Sequence, residues 1–177
     1  MKITFYFSLI VISLLSCDVR KKHLEHYLST GIENIKIFAA NKEDSAKIKK
    51  INIASNKYFA ECEKLKNAEC IDDRANMHLD AIFPKGMHNF RNVLFEKFKL
   101  PDDAKEGENL IRITIGNKNN FEKIEILRYT DEKTKKTLEN IFRLKELNVW
   151  TSAKIYGIPV NEQFEISVFV KKKLQKK

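Results

Sequence analysis

The chain has 177 residues, enough for one domain and a leader segment but too few for two domains of ordinary size. Its three prolines and five glycines exclude a collagen-like or low-complexity chain. The formal charge of +9 at pH 7 would suit a nucleic-acid-binding protein, unless the chain is exported away from nucleic acid.

The first residues predict export. After a single lysine, an apolar run from Ile3 to Leu15 is shorter than the ~20 residues that a membrane-spanning helix needs. The run ends in Leu14-Leu15-Ser16-Cys17, which resembles the lipobox of bacterial lipoproteins. This resemblance implies that residues 1–16 are a signal peptide. Cys17 would then become the mature N-terminus, where acyl chains such as palmitate replace the leader as anchor. An uncleaved anchor helix and an ordinary secretory leader are the alternatives.

A protein anchored in this way is expected at a bacterial envelope membrane, with its domain in the periplasm. An exported chain meets little nucleic acid, so its positive charge is better suited to anionic lipid, glycan or partner proteins. The basic residues 172–177 predict a solvated tail, for which an envelope-binding patch is the alternative.

Residues 17–81 are predicted to form a tether followed by a short mixed region. Two stretches rich in β-branched residues flank a turn-like cluster, which favours a β-hairpin, and Ser55 is a candidate helix cap. The predicted elements, in chain order, are a polar tether or helix (18–29), two hairpin strands (32–38 and 48–54) and two helical segments (55–69 and 72–81).

Cys62 and Cys70 are the two cysteines that remain when Cys17 carries lipid. In an oxidising envelope, an even pair is typical of a disulfide. The Cα atoms of a disulfide lie within ~7 Å, so the chain must turn back between the two residues and the helix should end near Leu65. Free buried thiols and a metal pair are the alternatives.

Residues 82–104 predict an amphipathic helix between Pro84 and Pro101, which both lie outside its ends, where proline is tolerated. Its apolar residues recur three or four positions apart and therefore share one helical face. They are Met87, Phe90, Leu94 and Phe98, with Val93 and Phe95 beside them.

Two strands, a helix and a last strand are predicted to follow. Leu110–Ile115 and Phe121–Tyr129 alternate apolar and polar residues on either side of a polar turn. Thr130 or Asp131 is expected to cap the next helix. The final strand, over residues 162–171, has the most regular alternation in the chain. The predicted buried stripe of the helix is Thr134, Leu138, Ile141 and Phe142.

Several residues mark the boundaries of these elements. They are Phe83-Pro84 and Gly86 before the first helix, Leu100 to Ala104 after it, the turn Asn117–Asn120 between the strands, Trp150, and Gly157 to Val160 before Phe164. This order of elements and residues resembles the C-terminal domain of the TonB family over residues 82–171. The elements predict an α+β fold, a small antiparallel sheet with two helices packed on one face, preceded by the mixed N-terminal region.

In the TonB family, this domain binds an extended segment of outer-membrane transporters by adding it to a sheet edge. The resemblance implies a protein partner, an outer-membrane transporter or another envelope protein. It also suggests that the last strand is the pairing edge. The residues of that strand expected to face the partner are Gln163, Glu165, Ser167 and Phe169.

Three alternatives remain open. The last strand could lie in the middle of the sheet. The protein could be a structural or self-associating envelope lipoprotein with no transport role, for example a homodimer formed by edge pairing, or a basic module that binds glycan or lipid. Some TonB-like relatives carry a similar cysteine pair before this domain, and the resemblance therefore supports the Cys62–Cys70 bridge.

The sequence contains no motif that indicates catalysis or a cofactor. It lacks a phosphate-binding Gly-rich loop, a Gly-x-Ser-x-Gly motif and a His-Glu-x-x-His motif. His23 and His26 are close together in the predicted tether, where a solvated face is expected, and His78 and His88 are isolated. The sequence therefore predicts a protein that is not an enzyme and that holds no metal or cofactor.

Overall fold

The computed structural model describes residues 24–65, 67, 69–72 and 74–173, so the predicted signal peptide and Cys17 lie outside the described residues. Its strands are β1 (Leu24–Leu28), β2 (Glu33–Phe38), β3 (His78–Leu79), β4 (Gly107–Ile115), β5 (Phe121–Arg128), β6 (Lys154–Ile155), β7 (Ile158–Pro159) and β8 (Asn161–Lys172). Its α-helices are α1 (Lys42–Cys62), α2 (Gly86–Lys97) and α3 (Glu132–Ile141), and short 3-10 helices span Arg74–Met77 and Lys145–Leu147.

The predicted α+β fold is confirmed. The main sheet is antiparallel and has the order β1-β8-β4-β5, with β2 also paired to β8. A smaller antiparallel sheet has the order β3-β6-β7. One face of the main sheet carries apolar side chains because alternate residues of each strand point the same way.

The core lies between that face and the helices α2 and α3. The helices contribute Phe90 and Leu94 from α2, and Leu138 and Ile141 from α3, all buried at their predicted positions. The sheet contributes Ile111, Ile113, Ile115, Phe164, Ile166 and Val168. Of the six apolar residues predicted for the face of α2, Phe95 is the exception, because its side chain is exposed.

Trp150 lies at the centre of an aromatic cluster in this core. Its ring centroid is 5.2 Å from that of Phe83, 5.1 Å from that of Phe90 and 5.9 Å from that of Phe164. Its indole N–H donates to the carbonyl oxygen of Leu147 at 2.9 Å, so the buried polar atom has a partner. Trp150 therefore joins the loop after α3 to α2 and to the central strand.

Asp131 fixes the start of α3, as the sequence predicts. Its carboxylate accepts the backbone N–H of Thr134 at 2.8 Å and that of Lys105 at 3.0 Å. Partial burial raises the pKa of Asp131, but these hydrogen bonds outweigh burial and hold the pKa at about 2. One carboxylate thus caps the helix and also forms a hydrogen bond with the loop that leads into β4.

The structure corrects the prediction for residues 41–69. Residues 48–54 are not a hairpin strand, because the chain is helical from Lys42 to Cys62. Asn41 caps this helix by accepting the Asp44 N–H at 2.8 Å, so the helix begins 13 residues before the predicted start at Ser55. It ends at Cys62 and does not continue to Glu69.

Two further predictions for the N-terminal region are wrong. The segment predicted as tether contains β1, which pairs with β8, and the boundary at residue 82 therefore does not separate two structural units. The helix predicted over residues 72–81 is only the short 3-10 helix at Arg74–Met77, followed by β3. The mixed region belongs to the same sheets as the rest of the chain.

Candidate partner-binding edge

The strand predicted to bind a partner, β8, has neighbours on both sides. β4 pairs with it along one side, from Gly107 opposite Val170 to Ile115 opposite Glu162. On the other side, β1 pairs with the last part of β8 and β2 with its first part. The prediction that β8 is an open edge is therefore wrong, and β8 is the central strand, which was the alternative.

Two of the side chains that were expected to contact a partner, Glu165 and Ser167, form hydrogen bonds within the protein instead. Arg112 donates to one oxygen of the Glu165 carboxylate from Nε at 2.9 Å and from Nη2 at 2.7 Å, and Asn34 donates to the other oxygen. The hydrogen bond from Asn34 and the guanidinium of Arg112 lower the pKa of Glu165, against the opposing effect of burial. Glu165 thus joins β2, β8 and β4 across the face opposite the core.

Ser167 also forms internal hydrogen bonds, whereas Phe169 and Gln163 are partly covered by neighbouring strands. The Ser167 hydroxyl donates to the Glu108 carboxylate at 2.7 Å, and the Ser29 backbone N–H donates to the Ser167 carbonyl oxygen at 2.9 Å. Phe169 is half-buried opposite Tyr27 of β1. Gln163 is half-buried between Lys36 of β2 and β4.

The main sheet ends at two other places, and β5 forms one of them. Within the described residues, β5 pairs only with β4. The register shifts near both ends of this ladder, and Lys123 and Glu125 form an ion pair of 2.8 Å on the strand between the shifts. Register shifts and charged side chains are devices by which proteins protect an edge strand from further pairing.

β2 forms the other edge, and its side chains differ from those of β5. Within the described part of the chain, β2 pairs only with β8. Asn34 has a left-handed backbone with φ 52°, where the register of β2 against β8 shifts. Ile35 and Phe38 are 53% and 42% exposed, which is unusual for two large apolar side chains on one short strand.

β1 is less open than β2 because α2 packs beside it. The imidazole Nε2 of His26 is 3.1 Å from the carbonyl oxygen of Phe95. The His26 ring also lies 4.5 Å from the ring of Phe95 and 4.9 Å from that of Phe98. The β2 edge was not predicted, because a strand's neighbours cannot be identified from its own residues. The signal that the sequence offered was the presence of Ile35 and Phe38 in one short stretch, and only the structure shows that both are exposed.

The predicted cysteine pair is brought together at the end of α1. The sulfur atoms of Cys62 and Cys70 are at bonding distance, 2.01 Å, and the Cα atoms are 6.0 Å apart. The bridge joins the last residue of α1 to the segment that leads into the 3-10 helix. Arg74 in that helix donates to Asn56 and lies 5.8 Å from the centroid of the Phe59 ring, so α1 is held at several points.

No helix among the described residues combines the length and apolar content needed to cross a bilayer. No group of three or more His, Cys, Asp or Glu side chains in the described ranges is arranged to hold a metal ion.

Comparisons with protein-family models, with curated proteins and with solved structures find no match to this chain. The function of this chain must therefore be inferred from its own residues and geometry.

Proposed function

We propose that this chain is a lipid-anchored protein of the bacterial cell envelope whose TonB-like domain binds a partner protein by strand addition. Cys17 carries the acyl chains, and the partner is an outer-membrane transporter or another envelope protein. The lipobox-like sequence supports the anchor, and the Cys62–Cys70 bridge is consistent with an oxidising compartment.

The observation that carries the binding proposal is the β2 edge, with Ile35 and Phe38 exposed beside main-chain groups that have no neighbouring strand in the described chain. An extended segment of the partner would form backbone hydrogen bonds with β2 and cover the two apolar side chains. The β5 edge is a poorer site because its ion pair and register shifts oppose pairing.

A matched pair of photo-crosslinker positions tests this proposal. Phe38 on β2 is 42% exposed and Leu127 on β5 is 41% exposed, so the two positions differ in edge but not in accessibility. A photoreactive phenylalanine analogue is placed at each position in the full-length protein, and native envelopes are irradiated. We expect position 38 to give one dominant adduct, whose crosslinked peptide is an extended segment of another envelope protein.

Three other outcomes are informative. Equal adducts from positions 38 and 127 would contradict a specific β2 site. A second copy of this chain as the only adduct would support the self-associating lipoprotein, the alternative function. Adducts that map only to a soluble cytoplasmic protein would contradict the envelope location.

Charge substitutions provide an independent test. Phe38→Lys should abolish capture of the partner found by crosslinking, because a lysine on an edge strand opposes pairing and cannot replace the apolar contact. Leu127→Lys is the control and should leave capture unchanged. Both side chains are exposed, so each substitution should change the free energy of unfolding by only about 0.5 kcal/mol, which chemical denaturation checks.

A further inference from the structure

The start of β1, the first strand of the main sheet, lies beside the end of β8, the last strand. Leu24, the first residue of β1, pairs with Lys172 at the end of β8. Residues 18–23 are all that separate Leu24 from Cys17. Fully extended, seven Cα–Cα steps span at most about 25 Å, so a lipid on Cys17 would hold this end of the sheet close to the bilayer.

The same end of the sheet is basic. Lys171, Lys172 and Lys173 are exposed, and the connecting sequence adds the basic residues 20–22. The acidic groups nearby are Glu25, opposite Lys171 in the ladder, Glu106, whose carboxylate is 3.5 Å from the Lys172 ammonium, Glu108 on β4 and Asp18 in the connecting sequence. Basic residues near an anionic leaflet are attracted to it, and these six outnumber the four carboxylates, of which Glu108 is already paired with Arg128.

Aromatic side chains lie next to these lysines. Tyr27 is 44% exposed and pairs across the ladder with Phe169, and the Lys171 ammonium is 5.7 Å from the centroid of the Phe169 ring. A shallow depression of about 750 Å³ opens here, lined in part by Tyr27, Glu108, Phe169 and Lys171. Aromatic rings beside lysines are typical of surfaces at the headgroup level of a membrane.

We propose that this end of the sheet, formed by Tyr27, Phe169 and residues 171–173, docks on the anionic phospholipid headgroups of the membrane that holds the Cys17 acyl chains. The inference rests on the proposed lipid anchor. Docking would place the end of β8 at the bilayer and the start of β8 farther from it. Phe38 pairs with Asn161, 11 residues from Lys172, so the β2 edge would lie roughly 35 Å further from the membrane.

Fluorescence quenching in vesicles tests the orientation. The acylated full-length protein is reconstituted in vesicles of phosphatidylglycerol and phosphatidylcholine that contain a lipid with a nitroxide on its headgroup. Phe169→Trp reports on the docking end, and Gln163→Trp is the matched control on the same strand and face, six residues away. Trp150 is 4% exposed and gives the same background in both variants.

We expect the tryptophan at position 169 to be quenched at least about twice as strongly as that at position 163. The difference should disappear in vesicles of phosphatidylcholine alone and when Lys171, Lys172 and Lys173 are all changed to Gln. Tyr27→Trp, at an exposed site, replaces Phe169→Trp if circular dichroism shows that the latter is misfolded. Equal quenching at the two positions, or a difference that survives the lysine changes, overturns the proposal.

A second measurement separates this proposal from the anchor itself. Flotation with the vesicles shows whether the protein is attached to the membrane, and a fatty-acid label shows whether Cys17 is acylated. Both measurements are independent of the quenching. A labelled protein that floats but shows equal quenching would overturn only the docking. A protein that neither carries the label nor floats would overturn both the anchor and the docking that depends on it.

Discussion

Glu162 is a buried carboxylate at the start of β8, with only 3% of its surface exposed. Its Oε2 accepts the Ala81 backbone N–H at 2.6 Å and so fixes the segment that leads into α2. Burial raises the pKa of Glu162, Asp80 adds to this effect, and the hydrogen bond from Ala81 partly opposes it. The charged form is therefore disfavoured in the folded protein.

This pKa gives a testable dependence on pH. Because the folded protein binds this proton more tightly than the unfolded chain, the contribution of Glu162 to the free energy of unfolding is complete below its ordinary pKa of 4.5. It is lost as the pH rises through the raised pKa. Urea unfolding from pH 4.5 to 7 should show the wild type losing stability relative to Glu162→Gln, which has no charge; parallel profiles would contradict the assignment.

The matched alanine variant separates the charge from the hydrogen bond. Glu162→Ala leaves the Ala81 N–H buried without its acceptor, which should cost about 1–3 kcal/mol at pH 7. The same denaturation measurement checks it, and a loss no larger than that of Glu162→Gln would show that the hydrogen bond is unimportant.

Residues of the core were easier to predict than buried polar residues. Phe90, Leu94 and Leu138 follow from helical spacing, because an apolar stripe must face the sheet. Glu162 and Glu165 were not predicted to be buried, since the partners that make burial tolerable, Ala81 and Arg112, are far away in the sequence. Without knowledge of those partners, a carboxylate in a strand is expected to be exposed to solvent.

His26 lies at the contact between β1 and α2, where its ring packs on Phe95 and Phe98. Burial lowers its pKa, the hydrogen bond with Phe95 partly opposes this effect, and the charge of Lys99 adds to it. As the pH falls below 6.5, His26 is therefore protonated in the unfolded chain before it is protonated in the folded protein. The stability that neutral His26 provides is complete above 6.5 and is lost as the pH falls toward the lowered pKa.

Acidification should therefore loosen β1. Hydrogen exchange of the β1 amides is expected to become faster between pH 7 and pH 5 in the wild type, after correction for intrinsic rates. His26→Phe keeps a ring against Phe95 and Phe98 but cannot titrate, so β1 should stay equally protected in this variant. The same loss of protection in both proteins would assign the effect to another group.

The Cys62–Cys70 bridge closes a short loop at the end of α1. Replacing both cysteines by serine should lower the free energy of unfolding by about 2–3 kcal/mol, because the loop no longer restricts the unfolded chain. Denaturation with and without reductant measures the change. Mass spectrometry after alkylation without reductant should find no free thiol at either position in protein from the envelope, and two alkylated thiols would contradict the bridge.

The α1 helix shows why β-branched residues can mislead. Ile51 and Ile53 alternate with polar residues as in a strand, yet Ile53 is 59% exposed. The half-buried positions Ile48, Ser55 and Phe59 instead follow a helical spacing, and Asn41 with Asp44 provides the start signal. Local caps and tertiary contacts override β propensity here.

The proposed lipid anchor at Cys17 leads to a direct prediction for the location of the protein. Cys17→Ser should remove the acylation site, so the protein should leave the membrane fraction or accumulate as an unprocessed precursor. Fractionation after growth with a labelled fatty acid measures both effects. A variant that remains membrane-bound and migrates like the wild type, when the wild type itself carries no label, would show that Cys17 is not an anchor.

The two α-helices and the three long strands of residues 82–171 could be predicted from periodicity, but the short strands β6 and β7 and the extent of the main sheet could not. β1 and β2 complete that sheet although they precede it by many residues, and α1 separates them from it in the chain. Periodicity indicates which face of a strand is buried, whereas pairing depends on contacts between distant segments. The partner-binding edge therefore had to be found in the structure.

The position of β8 also determines when the chain can fold. Every other strand of the main sheet except β5 pairs with this last strand, and the Ser29–Ser167 contact closes 138 residues of chain. During synthesis, N-terminus first, β1 and β2 emerge well before the strand with which they pair. The main sheet cannot be completed until β8 has emerged, so it assembles late, through slow, long-range pairing.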